Sequence, residues 1–433
     1  MLPLFAALLF SCSPKKYDVE EIYANYEDEP YDNPQQRVYE SLEEALEDPD
    51  NCYSLDLSYI YFENTPLPHS IGKLKNLHSL TLTGSDITSL PESIGDLKNL
   101  RKLNLRDCKL KYLPESIGKL QNLEELQLQK NILYKLPNGI SKLKKLKVLY
   151  LFNNKLASLP ESIGNMENLE ELALTKNRLE KIPASIGSLK KLRKLFISDN
   201  KLHELPAEIG SLPRLAYLSA EDNKLETLPA EISNLKRLYR LSLAGNPLTM
   251  LPENIGDIKN LKQLSISRTK IQELPASFAH LDSLEYLDWD SAGIISVPQA
   301  LSGIKSIVSL SLAGNAISAI PDFIADLKNL VVLNLSHNSL SGLPDAFFGL
   351  PKLAVLSLAS NNLEVIPEGL ASMPALREID LKNNKLTFIP RGILKSSLLR
   401  WLNTKGNMIS DSVITGYIQD RIPAGLYIEN DEE

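Results

Sequence analysis

One pattern of 23 residues repeats fourteen times between Leu77 and Leu398, and it restricts this chain to very few folds. The pattern is close to L-x-x-L-x-L-x-x-N-x-L-x-x-L-P-x-x-I-x-x-L-x-x. A fixed period of this length is typical of a solenoid, in which each repeat contacts only its neighbours. A single repeat cannot enclose its own apolar side chains. Adjacent repeats are therefore expected to supply the other walls of a shared core.

The chemistry of the pattern predicts a structure for each part of the repeat. In L-x-L, apolar residues alternate with other types, which is the period of a short strand with one buried face. A proline follows the fourteenth position in every one of the fourteen repeats, from Pro91 to Pro390. Because proline fixes φ and lacks an N–H, it suits the start of a helix. The x-x-I-x-x-L segment after it is predicted to be a short helical turn.

The asparagine at the ninth position is expected to satisfy backbone groups inside the solenoid. A sharp turn after each strand buries N–H and C=O groups, and an inward amide can both donate and accept hydrogen bonds. Ser85 and Cys108 are tolerable substitutes, whereas Thr269 and Ala292 are poorer ones. Together with Trp289 in place of a strand leucine, they predict altered local curvature in the ninth and tenth repeats. The asparagines of the predicted ladder are Asn131, Asn154, Asn177, Asn200, Asn223, Asn246, Asn315, Asn338, Asn361, Asn384 and Asn407.

The alternation of strands and helical turns predicts an α/β fold, a horseshoe-shaped solenoid with a parallel concave sheet and short helical turns on the convex side. The pattern L-P-x-x-I-G-x-L resembles the 23-residue leucine-rich repeats of plant intracellular Ras-group-related proteins, animal Ras-scaffold proteins and bacterial leucine-rich repeat lipoproteins. The resemblance covers about four-fifths of the chain. Such a motif is specific for the fold and says little about the ligand.

The segments that flank the repeats predict caps that close the ends of the solenoid. Residues 41–51 are predicted to hold an N-terminal capping helix, because Ser41 and Glu44 form a capping box. Residues 52–398 comprise one irregular repeat and the fourteen regular ones. Residues 399–433 are expected to form a degenerate last repeat and a C-terminal cap. The cap is predicted to contain a closing helix with Val413, Ile414, Tyr417 and Ile418, and an edge strand with Leu426 and Ile428.

The first forty residues predict export and a lipid anchor. Residues 1–12 contain an apolar run that is too short to span a bilayer, which is typical of a signal peptide. The end of this run resembles a bacterial lipobox, which implies that Cys12 is lipidated. Residues 13–40 are rich in acidic residues and poor in aliphatic ones, which predicts a disordered tether. The alternative is a cytosolic protein with an apolar N-terminal tail.

Charge is distributed unevenly along the chain. The net charge is −7, yet residues 1–50 carry 13 acidic and 3 basic side chains, which leaves the repeats basic. A row of lysines before the strands is expected to line one rim, either as a solvated edge or as a surface for an acidic partner or the acidic tether. No nucleic-acid partner is expected, because no aromatic or groove-reading elements accompany these lysines. The rim lysines are Lys75, Lys98, Lys144, Lys190, Lys236 and Lys259.

The sequence contains no pattern that predicts catalysis, a metal site or a cofactor. The five histidines fall in different repeats and different positions, without metal-ligand spacing. No phosphate-binding glycine loop and no G-x-S-x-G motif occur. Asp288 and Asp290 lie at a strand end with no histidine beside them in sequence. Cys52 and Cys108 are two strand steps apart, beyond disulfide reach, and are expected to be free and buried.

The inner face of the predicted sheet holds the candidate binding residues. Positions 3, 5 and 7 of each repeat point away from the core, and in repeats four to ten several of them are aromatic. Tyr150 and Phe196 are expected to lie about 10 Å apart over Ala173, as a slot for an inserted side chain. Loss of both rings is then expected to leave folding nearly intact and to abolish binding. The candidate protein-binding residues are Tyr150, Phe152, Ala173, Phe196, Tyr217, Arg240 and Tyr286.

Two alternatives to this slot remain open on the sequence alone. The aromatic side chains can instead pack on one another along the sheet. A smoother patch of small residues, in repeats eleven to thirteen, is a second candidate surface. Its residues are Ser309, Ser311, Ala313, Val332, Val355, Ser357 and Ala359.

The sequence as a whole predicts a non-catalytic, monomeric protein-binding module, anchored in a bacterial cell envelope through lipid at Cys12. Aromatic and arginine side chains on the inner face would supply most of the binding energy. The first alternative is an intracellular signalling scaffold of the small-GTPase type, which the Ras-group resemblance implies. The second is a glycan-binding surface protein, because tyrosines in a groove can stack on sugars.

Overall fold

The computed structural model of the protein describes residues 37–409 and 426–430. The predicted signal peptide with Cys12, most of the predicted tether and the predicted closing helix lie outside the described residues. The sequence predicts one run of repeats over residues 52–398, and the described chain divides into two compact units. The first unit contains residues 37–240, and the second contains residues 241–409 and 426–430.

Short strands pair in parallel and in chain order within each unit. In the first unit they are β1 (Val38–Tyr39), β2 (Ser54–Asp56), β3 (Ser79–Thr81), β4 (Lys102–Asn104), β5 (Glu125–Gln127), β6 (Val148–Tyr150), β7 (Glu171–Ala173), β8 (Lys194–Phe196) and β9 (Tyr217–Ser219). The units divide within β10 (Arg240–Ser242). In the second unit they are β11 (Gln263–Ser265), β12 (Tyr286–Asp288), β13 (Ser309–Ser311), β14 (Val332–Asn334), β15 (Val355–Ser357), β16 (Glu378–Asp380), β17 (Trp401–Asn403) and β18 (Tyr427–Glu429).

The strands β2 to β16 are each followed by a helical turn, and all of these turns except Ile255–Asp257 begin directly after a proline. Most of these turns are 3-10 helices, and the described residues contain only two short α-helices, α1 (Leu42–Glu47) and α2 (Arg391–Leu394). The 3-10 turns of the first unit are His69–Lys73, Glu92–Asp96, Glu115–Lys119, Asn138–Lys142, Glu161–Asn165, Ala184–Ser188, Ala207–Ser211 and Ala230–Asn234. Those of the second are Ile255–Asp257, Ala276–His280, Gln299–Gly303, Asp322–Asp326, Asp345–Gly349 and Glu368–Ser372.

The core lies between the sheet and the helical turns, and it is built from the repeated leucines and isoleucines. In one repeat Leu146, Leu149, Leu151 and Leu156 are all fully buried, as is Ile163 of the helical turn. Strands contact neighbouring strands, and turns contact neighbouring turns, because every repeat presents the same apolar positions to the next. The structure thus confirms the predicted class, a solenoid with a parallel sheet and short helical turns.

The asparagine ladder forms as predicted. In a representative repeat, Asn177 Nδ2 donates to Leu151 O at 3.0 Å and to Leu174 O at 2.9 Å. Its Oδ1 accepts from the N–H of Leu156 at 3.0 Å. One side chain therefore satisfies three backbone groups of two consecutive repeats, inside a core where unpaired polar groups are costly. The same bonds recur at Asn131, Asn154, Asn200, Asn223, Asn315, Asn338, Asn361, Asn384 and Asn407.

The substitutes for asparagine satisfy fewer groups. Ser85 Oγ donates to Leu57 O at 2.7 Å, and Cys108 Sγ donates to Leu82 O at 3.1 Å.

Cys52 and Cys108 are both free and buried, and burial raises the pKa of their thiols to about 11 and about 12. At the irregular repeat, the indole N–H of the fully buried Trp289 donates to Ile271 O at 3.2 Å. In the repeats on either side, the corresponding carbonyl oxygen accepts a backbone N–H of the next repeat. In this repeat, the indole N–H of Trp289 replaces that backbone donor.

A row of glycines lets the 3-10 turns of the first unit stack closely. A β-carbon added at Gly164 would lie 2.3 Å from the carbonyl oxygen of Ser185 in the next turn. We therefore expect Gly164→Ala to lower the free energy of unfolding by about 1–3 kcal/mol, because the turns would have to move apart. Urea unfolding followed by circular dichroism measures this loss. Gly349→Ala is the control, since no atom lies within 4 Å of its added carbon, and a similar loss in both variants would contradict close stacking as the cause.

Both ends of the described chain carry the elements that the flanking segments indicate. Ser41 caps helix α1, and its Oγ accepts from the N–H of Glu44 at 3.3 Å. Leu42 and Ala45, which belong to this helix, are buried. At the other end, β18 pairs with β17 as an edge strand. The domain boundaries drawn from the sequence stay predictions.

Candidate protein-binding face

The outward face of the sheet in the first unit carries one apolar cluster. Tyr150, Phe152, Ala173 and Phe196 form this buried cluster, and Val148 packs against it. We call these four residues the aromatic cluster. Its members come from three consecutive repeats, because Tyr150, Ala173 and Phe196 are register partners on β6, β7 and β8. The repeat period therefore brings together residues that are 23 positions apart in sequence.

The aromatic cluster is closed, which corrects the expectation of an open slot. Tyr150, Phe152 and Phe196 are exposed by only 1%, 3% and 5%, although all three belong to the outward face. Alanine at position 173 leaves space above the middle strand, and bulky neighbours lean into such space rather than leave it empty. The premise that Tyr150 and Phe196 stand outside the packed interior is therefore wrong, because both rings are as buried as the core. The effect of their removal on folding stays a prediction.

A charged pair lies along one border of the aromatic cluster. Lys194 Nζ lies 2.7 Å from Glu171 Oε1, and the hydroxyl of Tyr150 donates to Glu171 Oε2 at 3.2 Å. Glu171 thus connects the ring of Tyr150 to a lysine of the next repeat. Sequence reasoning missed this pair, although opposite charges 23 residues apart, as also in Glu124 and Lys147 at 2.6 Å, are a signal that could have found it.

Two tyrosines border the aromatic cluster on the following repeats. The rings of Tyr217 and Tyr239 lie 5.9 Å apart, and both side chains are partly exposed. Tyr239 was not a candidate from the sequence, because it lies at the second position of its repeat. Arg240, the next residue, is buried. The structure therefore places Tyr150, Phe152, Ala173, Phe196, Tyr217 and Arg240 in the first unit.

The remaining candidates belong to the second unit. Tyr286 lies on β12, in register with Gln263 and Ser309, and is partly exposed. Most residues of the small-residue patch over repeats eleven to thirteen are buried, and its role as a second candidate surface stays a prediction. Val332 and Val355 form its apolar part on β14 and β15.

Two carboxylates of the second unit lie close together at the end of β12. Ser267 Oγ donates to Asp288 Oδ1 at 2.5 Å, and Ser311 Oγ donates to Asp290 Oδ1 at 2.6 Å. The backbone N–H of Ala313 also donates to Asp290 Oδ1, at 2.7 Å. Burial, together with the neighbouring carboxylate of Asp288, raises the pKa of Asp290 to about 7.

This raised pKa predicts how stability depends on pH. Because the folded protein holds a proton on Asp290 that the unfolded chain releases near pH 4, the second unit loses stability as pH rises from about 4 to about 7. Asp290→Asn should remove most of this loss and stabilise the protein at pH 8 by about 2–3 kcal/mol, with little effect at pH 4. Thermal unfolding at both pH values tests the sign. If Asp290→Asn instead destabilised the protein equally at pH 4 and pH 8, ionisation of the Asp290 carboxyl group would not be the cause of a loss of stability at high pH.

The rim lysines have structural partners. Lys190 Nζ donates to Gly187 O at 2.7 Å and to Ser211 O at 2.9 Å, which lie in the 3-10 turns of its own repeat and the next. Lys98 bonds the equivalent carbonyls of Gly95 and Lys119. Cations at the carbonyl ends of helical turns are stabilising. These bonds favour the interpretation of the lysine row as a structural edge.

The described part of the chain contains neither a metal-binding cluster nor a helix that could span a membrane. Within residues 37–409 and 426–430, no group of three or more His, Cys, Asp and Glu side chains is arranged to hold a metal ion. None of the helices in those same ranges combines the length and apolar character needed to cross a bilayer.

Comparison with known proteins identifies the family. A model of a leucine-rich repeat region matches residues 94–198, and a leucine-rich repeat model matches residues 190–248, 236–291, 305–363 and 351–409. A leucine-rich repeat protein of Leptospira interrogans is 37% identical, with a TM-score of 0.83, over 91% of this chain and 100% of that one. The chain therefore belongs to the leucine-rich repeat proteins.

More distant structures share the solenoid. The plant peptide hormone receptor RGFR1, solved in complex with RGF2, is 28% identical with a TM-score of 0.60, over 87% of this chain and 71% of that one. An internalin of Listeria monocytogenes is 24% identical with a TM-score of 0.61, over 71% and 87% of the two chains, and shows the fold alone. No curated protein matches the sequence.

Proposed function

We propose that this protein is a non-catalytic binding module that recognises a protein partner on the outward sheet face of its first unit. One observation carries the proposal: the partly exposed rings of Tyr217 and Tyr239 lie beside an aromatic cluster on the face that does not form the core. The packed rings of Tyr150, Phe152 and Phe196 make a rigid floor, and the partly exposed Tyr217 and Tyr239 border it. Rigid aromatic surfaces bind at low entropic cost, because little side-chain freedom is lost.

The family supports recognition as the function. Leucine-rich repeats are typically protein-interaction modules. The RGFR1 receptor, whose solenoid is similar to this one, was solved in complex with RGF2. By this analogy the partner engages the face with an extended peptide segment, and the charged pair Glu171–Lys194 at 2.7 Å supplies polar contacts at its border.

Selection of displayed peptides on the immobilised full-length protein tests the proposal. Tyr217→Ala combined with Tyr239→Ala should weaken binding of a selected peptide at least tenfold in calorimetric titration, because it removes the partly exposed ring pair while leaving the aromatic cluster in place. The matched control is Tyr112→Ala with Tyr134→Ala, which removes two tyrosines, 47% and 50% exposed, that precede helical turns. Equal affinities for wild type and both variants would place the binding site elsewhere.

We further propose that the protein is held at the bacterial cell envelope by lipid on Cys12. The apolar run before Cys12 and the acidic segment after it support this location. Labelled palmitate should enter the wild-type protein in bacterial cells and should not enter Cys12→Ser. If neither the wild type nor Cys12→Ser incorporates the label, the result favours an intracellular scaffold. The proposal that the protein binds a partner would not be affected by that result.

A further inference from the structure

A second surface, on the last repeats of the second unit, has chemistry of its own. The first residues of β14 to β18 are register partners and form one row on the outward face of the sheet, with neighbouring strands about 4.8 Å apart. Along the row, two apolar residues are followed by a carboxyl group and two aromatic rings. The row consists of Val332, Val355, Glu378, Trp401 and Tyr427.

Two side chains of this row have polar groups without a hydrogen-bond partner among residues 37–409 and 426–430. Glu378 is only 4% exposed, and no hydrogen-bond donor from residues 37–409 or 426–430 reaches its carboxyl group. Burial alone raises the pKa of Glu378 to about 7. The indole Nε1 of Trp401, on the adjacent strand, is buried and lacks an acceptor among the same residues. Because an unpaired buried carboxyl group is costly, Glu378 would gain from a donor supplied from outside.

No positive charge among the described neighbours offsets the burial of Glu378. Asp380 points to the same face from the same strand, since strand residues two apart share a side. Its Oδ1 accepts the N–H of Lys382 at 3.1 Å, and burial is the main cause that raises its pKa. Lys405 lies 3.0 Å from Glu429 on β18 and is therefore engaged there.

We propose that this row binds an arginine side chain of a protein partner. The guanidinium group presents donors in a planar fork that matches a carboxylate such as that of Glu378. The same plane can stack on an aromatic ring, and Trp401 is the next residue in the row. The aliphatic stem of arginine packs on apolar surface, and Val332, 7% exposed, lies farther along the row, beyond the almost fully buried Val355.

This row belongs to the second unit, and arginine binding there is independent of partner binding on the outward sheet face of the first unit. Each feature of an arginine side chain meets a matching part of the row: the stem meets the valines, the donors of the guanidinium group meet the carboxyl group, and its plane meets the indole. The competing explanation is that Glu378 is a protonated acid with a purely structural role. In that case a neutral analogue of arginine would bind as well as arginine, or neither would bind.

Tryptophan fluorescence of the full-length protein distinguishes these outcomes. The chain has two tryptophans, and Trp289 is fully buried in the core, so a ligand-dependent change reports on Trp401. The probe is acetyl-Gly-Arg-Gly-amide, and its neutral counterpart carries citrulline. We expect a saturable change with the arginine peptide and at least tenfold weaker binding of the citrulline peptide.

Variants complete the test. Glu378→Gln keeps the shape of the side chain and should weaken arginine binding at least tenfold, whereas Glu368→Gln, on the exposed helical turn Glu368–Ser372, should not change it. Circular dichroism verifies folding, and Trp401→Phe, followed by calorimetric titration, provides a second variant that should also bind more weakly. The proposal is overturned if the two peptides bind equally, if no saturable binding occurs, or if Glu378→Gln binds like the wild type.

Discussion

Asn177→Ala is expected to destabilise the first unit by about 3–5 kcal/mol, a large effect for one small side chain. The substitution leaves Leu151 O, Leu174 O and the N–H of Leu156 without their partner, which lies at 2.9–3.0 Å in the wild type. Each buried group left unpaired costs about 1–3 kcal/mol, and a small cavity adds to the total. Urea unfolding monitored by circular dichroism measures the loss.

Asn168→Ala is the matched control for the ladder. Asn168 Nδ2 donates to Lys144 O at 2.6 Å and its Oδ1 accepts from Lys191 Nζ at 2.6 Å, and the residue lies on the more exposed loop before the strand. Water replaces such a partner, so the expected loss stays below about 1 kcal/mol. Comparable losses at both asparagines would mean that the inward amides contribute no more than surface bonds.

The second large effect is expected on strand β8, where adjacent residues face opposite sides of the sheet. Leu195→Ala opens a cavity in the core and should cost about 2–5 kcal/mol. Phe196→Ala should cost a comparable amount, because its ring is 5% exposed within the aromatic cluster. From the sequence alone, by contrast, loss of the Phe196 ring is expected to leave folding nearly intact. Chemical denaturation of the two variants separates these expectations.

Combining Phe196→Ala with Tyr150→Ala tests whether the aromatic cluster acts as a unit. Since the two side chains belong to one cluster, the double variant should lose less than the two single losses added together, with a coupling of about 0.5–1.5 kcal/mol. Tyr134→Ala, with its 50% exposed ring, provides the neutral reference. A neutral Phe196→Ala would contradict the view of the cluster as a second apolar core.

Periodicity accounts for how well the fold can be predicted. Leucine spacing places Leu149 and Leu195 in the core, and the asparagine positions predict bonds that the structure contains. Each of these features depends on contacts between equivalent positions of adjacent repeats. In a sequence with a fixed period, both residues of each such contact can therefore be identified from their positions in the repeat. The kind of helical turn is less predictable, because a few residues after a proline can close either an α-helical or a 3-10 turn.

The candidate face is harder to predict, because its structure depends on residues that do not repeat. The pattern places Tyr150 and Phe196 on the outward side, which is where they lie. It does not show that the space above Ala173 is filled, since this depends on how the rings are tilted. The ion pair between Glu171 and Lys194 likewise depends on the direction of the two side chains. Side-chain direction, rather than residue position, is the missing information.

Bonds such as those of Asn177 connect residues 21 or 26 positions apart and so join only a repeat and its neighbour. A block of 23 residues can therefore be duplicated or lost, and every remaining asparagine still finds the same carbonyls in the adjoining block. Genetic change can in this way lengthen or shorten the molecule by one strand at a time, and can bring new side chains beside Phe196 while the scaffold that carries them is preserved.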